Sequence, residues 1–126
     1  MELWEILVPA SKSKKKFTYE HHKAWDDFVK SISGGLTVLK TGKGQWISPE
    51  GILHIDRVIP CRIICSRQQI ERIVNFTLAH YEQEAVLAYK ISDEVILKHR
   101  NDEYQHLAHM KDACYPTSNG NGMGDY

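Results

Sequence analysis

A chain of 126 residues, 42% hydrophobic and 25% charged, has the length and composition of one ordinary globular domain. Its 16 basic and 16 acidic side chains cancel, which argues against a dedicated nucleic-acid binder, whose phosphate-facing surface needs a basic excess. No apolar run approaches the ~20 residues of a membrane span, Met1-Glu2-Leu3-Trp4-Glu5 is not a signal peptide, and three cysteines do not make a disulfide framework. Together these predict a cytoplasmic protein with no membrane partner.

Leu3 to Val8 is a short run of bulky residues closed by Pro9 and predicts a strand. The cationic stretch Ser11–Lys16 predicts a solvated loop. Thr18 is placed to cap a helix on which Trp25, Phe28, Val29 and Ile32 fall at i, i+3, i+4 and i+7, one apolar stripe ended by Ser33-Gly34-Gly35. Leu36–Lys40 predicts a second strand, Thr41–Gly44 a flexible turn, and Trp46-Ile47 a hairpin with Ile52–Ile55 across the turn Ser48-Pro49-Glu50-Gly51. Arg57–Cys65 is strongly β-branched; Pro60 inside it lacks an amide donor, so an edge or a bulge is expected there.

Ser66 and Gln69 have the spacing of a capping box, and behind them Ile70, Ile73, Val74, Thr77, Leu78 and Tyr81 mark a second helix. Ala85–Ile91 predicts the next strand, and Val95–Leu97 a further short one. The order is that of a ferredoxin-like βαββαβ α+β domain, an antiparallel sheet with two helices on one face, spanning residues 1–100. Residues 101–126 are a polar extension, and the glycine- and asparagine-rich stretch 117–126 is expected to be disordered.

In such a two-layer fold the second face of the sheet meets solvent. Here both faces are apolar by alternation: Trp4, Ile6 and Val8 oppose Leu3 and Leu7, Ile59, Cys61, Ile63 and Cys65 oppose Val58 and Ile64, and Val86 and Ala88 oppose Leu87, Tyr89 and Ile91. An apolar sheet face of several hundred Å² needs a cover. A face-to-face homodimer is the expected one; the segment Val95–Met110 folded back over the sheet is the alternative.

Metal chemistry is not expected. Neighbouring helical residues His21 and His22 diverge by about 100°, and His99, His106 and His109 do not form a His-x-x-x-His pair with a third ligand. Cys61 and Cys65 stand about 13 Å apart along a strand and read as core residues. There is no Cys-x-x-Cys and no Gly-x-Ser-x-Gly, so no nucleophile is nominated, no cofactor is implied and no catalytic residue is assigned.

Gly42-Lys43-Gly44-Gln45-Trp46 is the more informative segment. Glycines admit close backbone approach, Lys43 brings a positive charge, Gln45 both donates and accepts hydrogen bonds, and Trp46 offers a stacking face. With Lys40, Arg57 and Arg62 it defines an anion site, provided that a bulge at Pro60 brings Arg57 and Arg62 to one face. Trp25-x-x-Phe28, Gly35-Leu36-Thr37-Val38-Leu39, Gly44-Gln45-Trp46, Gly51-Ile52 and Gln83-Glu84-Ala85-Val86, with Asp56 after the hairpin, resemble a family of small bacterial ferredoxin-like domains of unknown function over about residues 3–98. That resemblance implies the fold and no activity.

The function these residues predict is a non-catalytic, homo-oligomeric binding protein for a small anion, in the first place a nucleotide. Lys40, Lys43, Gln45, Trp46, Arg57 and Arg62 are its ligand-binding residues. Such a chain suits a phage or mobile-element factor that sequesters a nucleotide signal. One alternative is a small enzyme drawing an acid or base from His54, Asp56, His80 or Glu84 in a cavity between sheet and helices. The other is a protein-interaction subunit that uses the apolar face.

Overall fold

The computed structural model describes residues 1–100. Its elements in chain order are β1 (Glu2–Pro9), β2 (Ser11–Lys12), β3 (Lys15–Lys16), α1 (Tyr19–Ser33), β4 (Thr37–Val38), β5 (Gly42–Ile47), β6 (Leu53–Cys65), α2 (Arg67–His80) and β7 (Ala88–Ser92). β1 runs through the middle of an antiparallel sheet between β6 and β7, and β4 and β5 share the outer side of β6. Both helices cover one face, so this is the ferredoxin-like α+β fold that the order of elements predicts.

The helices begin and end where local chemistry requires. The Thr18 hydroxyl accepts from the His21 amide at 3.1 Å, and α1 stops at Gly34, whose φ of 86° is left-handed. Ser66 and Gln69 satisfy each other's backbone amides at the start of α2. Between sheet and helices lies one core of Trp4, Ile6, Val8, Ile59, Cys61, Ile63 and Cys65 from the strands, and Trp25, Val29, Ile70, Ile73 and Tyr81 from the helical layer. Burial pushes both core thiols up, Cys65 to about 11.

Pro60 acts differently from expectation. The β1–β6 ladder runs in one register from Glu2↔Cys65 to Pro9↔Val58, straight through Leu7↔Pro60, with no bulge. The Pro60 carbonyl accepts from the Leu39 amide at 2.9 Å, so the place of its missing donor lies on the outer side of β6. There the neighbouring strand is broken: β4 pairs with residues 61 and 62, and β5 resumes at Val58. The strand expected over Leu36–Lys40 therefore shrinks to two residues, and the expected turn Thr41–Gly44 is largely the start of β5.

Three further expectations are corrected. Ser11–Lys16 is a small hairpin, with Ser13 and Lys14 at φ of 52° and 66°. The last strand begins at Ala88, three residues later than expected, and just before it the Leu87 carbonyl accepts from the Leu7 amide of β1 at 3.0 Å. Val95–Leu97 forms no strand, and Ile96 is 94% exposed. The rest of the proposed covering segment, the extension and its expected disorder lie outside the described residues.

The two helices are joined by polar groups as well as by packing. The Trp25 indole donates to the Thr77 hydroxyl at 2.8 Å, and that hydroxyl donates on to the Ile73 carbonyl. His21 and His80 stack with centroids 3.9 Å apart, and each ring nitrogen meets the other residue's carbonyl, at 2.8 and 2.7 Å. His22, 3% exposed, shares a 2.7 Å hydrogen bond with the Tyr81 hydroxyl. Burial, reinforced by His21 and His80, pulls His22 down to about 4, and burial pushes the Tyr81 phenol up.

A histidine that titrates at about 4 folded and near 6.5 unfolded binds its proton first in the unfolded chain. The stability it protects is complete above pH 6.5 and is lost as pH falls toward 4. Urea unfolding should therefore show a loss of roughly 2 kcal/mol between pH 7 and pH 4.5, starting above the range where carboxylates protonate. His22→Gln should flatten the segment between pH 6.5 and 5; a wild-type profile that is already flat there contradicts the assignment.

Thr77→Val removes the acceptor from a fully buried indole N–H and should cost about 1–3 kcal/mol in the same measurement.

Candidate ligand site on the open face of the sheet

Side chains of residues paired across a ladder share a face, and alternate residues share it along a strand. Since Trp4, Ile6, Val8, Ile59, Cys61 and Ile63 enter the core, the other face carries Leu3, Glu5 and Leu7 of β1 and Val58, Pro60, Arg62 and Ile64 of β6. Tyr89, opposite Glu5, stands on that same open face, as does Leu87, which is 59% exposed. The face is apolar, as the alternation predicts, except at its centre.

That centre is Glu5. It pairs with Arg62 on one side and with Tyr89 on the other. Arg62 Nε donates to Glu5 Oε1 at 2.9 Å, and the Tyr89 hydroxyl donates to Glu5 Oε2. The Glu5 side chain is 9% exposed, whereas that of Arg62 is 46% exposed, so the carboxylate lies beneath its partners. The Tyr89 hydrogen bond and the Arg62 guanidinium hold the Glu5 carboxyl below the usual carboxylate range, against the opposing effect of burial. The same contact with Glu5 raises the Tyr89 phenol. The result is an ionised carboxylate, two ordered donors and a flat apolar surround.

The residues predicted from sequence divide between two faces. Without a bulge at Pro60, Arg57 and Arg62 point to opposite sides of β6. Lys43 pairs with Arg57 and shares its side, and Gln45, two residues along β5, lies there too. Arg57 lines a groove of about 170 Å³ with Phe17, His22 and Ile59, on the helical side. Lys40 is exposed in the gap between β4 and β5.

Trp46 pairs with His54 and stacks on it at 4.3 Å, and its indole donates to Asp56 at 2.9 Å. This puts it on the open-face side of the hairpin, but Asp56 is six residues from Arg62, about 20 Å along the strand. Gly42 and Gly44 sit in the regular β5–β6 ladder, and neither has positive φ. The glycine cradle is thus a strand, and Arg62 is the one predicted residue in the central cluster.

Sequence reasoning missed Glu5 and Tyr89. One signal was present: Glu5 is the lone charge inside the apolar run Leu3–Val8.

The acid–base candidates do not converge. His54 and Asp56 stand on the hairpin with Trp46, His80 is bound between the helices, and Glu84 is exposed beyond α2. Among the described residues no group of three or more His, Cys, Asp or Glu is placed to hold a metal ion, and no helix is long and apolar enough to cross a membrane.

Compared with family models and with curated proteins, the chain matches none. It does match solved structures. A phage SAM lyase in complex with S-methyl-5'-thioadenosine is 15% identical, with a TM-score of 0.56 over 79% of this chain and 89% of that one. CutA from Xylella fastidiosa is 11% identical, with a TM-score of 0.55 over 84% and 93%. CutA1 from Oryza sativa is 13% identical, with a TM-score of 0.54 over 82% and 84%. At these identities the likeness establishes the shared fold, in agreement with the topology.

Because the Tyr89 hydrogen bond is the foremost cause of the lowered Glu5 pKa, Tyr89→Phe should move the Glu5 midpoint upward. Carbon-detected NMR titration of the carboxyl measures it; an unchanged midpoint breaks the link between the two residues.

Proposed function

We propose that this chain is a homo-oligomeric protein that binds a nucleoside ligand of the S-adenosyl class on the open face of its sheet, with a second copy of the chain forming the opposite wall. The observation that carries this reading is the Glu5–Arg62–Tyr89 cluster at the centre of an otherwise apolar sheet face that none of the described helices covers. Burying an ion pair gains little over packed aliphatic residues, so a face built only for protein contact has no use for one there. A ligand pocket does: mostly apolar walls with a few placed polar groups is the usual composition of a small-molecule site. Leu3, Leu7, Val58, Ile64 and Leu87 offer flat contact for a base and sugar, and the cluster offers the polar partners.

Two facts support a nucleoside over a phosphorylated nucleotide. Lys43 and Arg57 lie across the sheet from Arg62, so the cations that would surround a phosphate do not share one surface. Moreover, the charge of Arg62 is already balanced by Glu5. The phage SAM lyase with its bound S-methyl-5'-thioadenosine supports the ligand class. Holding or destroying a host nucleoside is the role this reading gives to a phage or mobile-element factor.

A second reading, that the chain cleaves what it binds, is favoured by the contact between the Tyr89 phenol, itself 41% exposed, and the buried Glu5 carboxylate, an acid and a base within hydrogen-bond reach. With S-adenosylmethionine the step needs no other reactant. The bond from sulfur to the aminobutyryl carbon breaks, and its electron pair stays on sulfur, giving the neutral thioether S-methyl-5'-thioadenosine. The remaining arm then loses a proton from the neighbouring carbon to the Glu5 carboxylate, which later returns it to water, or closes on its own carboxylate with no proton released.

Calorimetry with S-methyl-5'-thioadenosine should give a Kd below about 100 µM, roughly −5.5 kcal/mol, and sedimentation should show an oligomer. Leu87→Glu should shift the chain to monomer and abolish the heat. No heat from the wild type removes the binding reading. Incubation with S-adenosylmethionine, followed by mass spectrometry, decides the second: S-methyl-5'-thioadenosine forming faster than in buffer makes the protein an enzyme, and its absence leaves a binder.

A further inference from the structure

We propose that Arg62 is a carboxylate subsite: its terminal nitrogens take the single carboxylate of an amino-acid arm on the nucleoside, with Glu5 as the positioning residue that holds the guanidinium in place. This rests on the nucleoside reading above and names the part of the ligand that the polar centre recognises.

A guanidinium has five N–H donors in a planar fork. In Arg62 only Nε is engaged, by Glu5 Oε1 at 2.9 Å, and among the described residues none accepts from its terminal nitrogens. The Arg62 side chain is 46% exposed, while that of the glutamate holding it is 9% exposed. The edge of the guanidinium facing Glu5 is therefore used, and its outer edge is offered to the open face.

Each oxygen of Glu5 has its own donor, Oε1 from Arg62 and Oε2 from Tyr89, so the carboxylate is a brace for both side chains. Fixing the fork in advance lowers the entropy lost when a second carboxylate docks. Thr37, exposed and directly opposite Arg62 on β4, adds a hydroxyl donor on the same face.

The geometry selects among anions. A carboxylate presents two oxygens to the two terminal nitrogens, a bidentate match. A phosphate monoester brings a further negative charge close to Glu5, and Lys43 and Arg57, which would balance it, lie on the other side of the sheet. The subsite therefore suits a monoanionic arm.

Two uncleavable ligands isolate this arm. S-adenosylhomocysteine carries the amino-acid carboxylate, and S-methyl-5'-thioadenosine has the same nucleoside thioether without it. Calorimetry on the full chain should show that Arg62→Gln weakens S-adenosylhomocysteine at least tenfold more than it weakens S-methyl-5'-thioadenosine. Arg62→Lys, which keeps the charge but loses the fork, should fall between the two. The melting temperature of each variant establishes that it is folded. If Arg62→Gln weakens both ligands equally, or neither, the subsite is wrong while the nucleoside reading stands. If the wild type binds neither ligand, the nucleoside reading fails and this inference fails with it.

Discussion

Glu5 holds the open face in its arrangement. It sits on the central strand, so its two neighbours in the sheet are fixed by register: Arg62 on β6 and Tyr89 on β7. A lone carboxylate at such a depth would be strongly disfavoured, and two donors on its two oxygens are what allow it to stay ionised. The cluster thus ties three strands together through side chains, and it depends on the pairing of all three. A one-residue slip of either neighbour would carry Arg62 or Tyr89 to the core face.

That register is itself set by the other side of β1. Trp4, Ile6 and Val8 are buried against Trp25, Val29, Ile70 and Ile73, and the matching residues of β6 enter the same core. Apolar burial is the larger quantity, since each such side chain gains about 1.5–3 kcal/mol on leaving water. Core packing therefore chooses the register, and the polar cluster on the far face follows from it. Pro60 belongs to the same logic. It sits where β6 needs no donor toward β1, and the outer partner strand is interrupted at the position where a donor is missing.

The helical layer is joined by a separate set of contacts, in which His21, His22, His80 and Tyr81 fill the seam between the start of α1 and the end of α2. These histidines invite a catalytic or metal-binding interpretation in the sequence, but one ring nitrogen of each is committed, in His21 and His80 to a carbonyl and in His22 to a phenol. They have structural work on the face opposite the proposed ligand. The cations near β2 and β3 likewise stay on the helical side, where Lys12 bonds the Glu82 carbonyl at 3.1 Å.

The two helices, their caps, the core residues and the apolar character of both sheet faces were legible in the sequence. They depend on periodicity and on hydrogen bonds within a few residues, and such local interactions do not wait for the rest of the chain. Arg62 was recognisable as a candidate, but its companions were not. Glycine and lysine near Trp46 suggested a ligand loop, although the same residues pair readily as a strand once β6 lies beside them. Only the tertiary structure decided that Glu5, Arg62 and Tyr89 meet, and that Arg57 and Lys43 do not join them. The reason is physical: Glu5 and Tyr89 are 84 residues apart in the chain, and their contact exists only because β1 and β7 pair in the register that sets the two residues opposite each other.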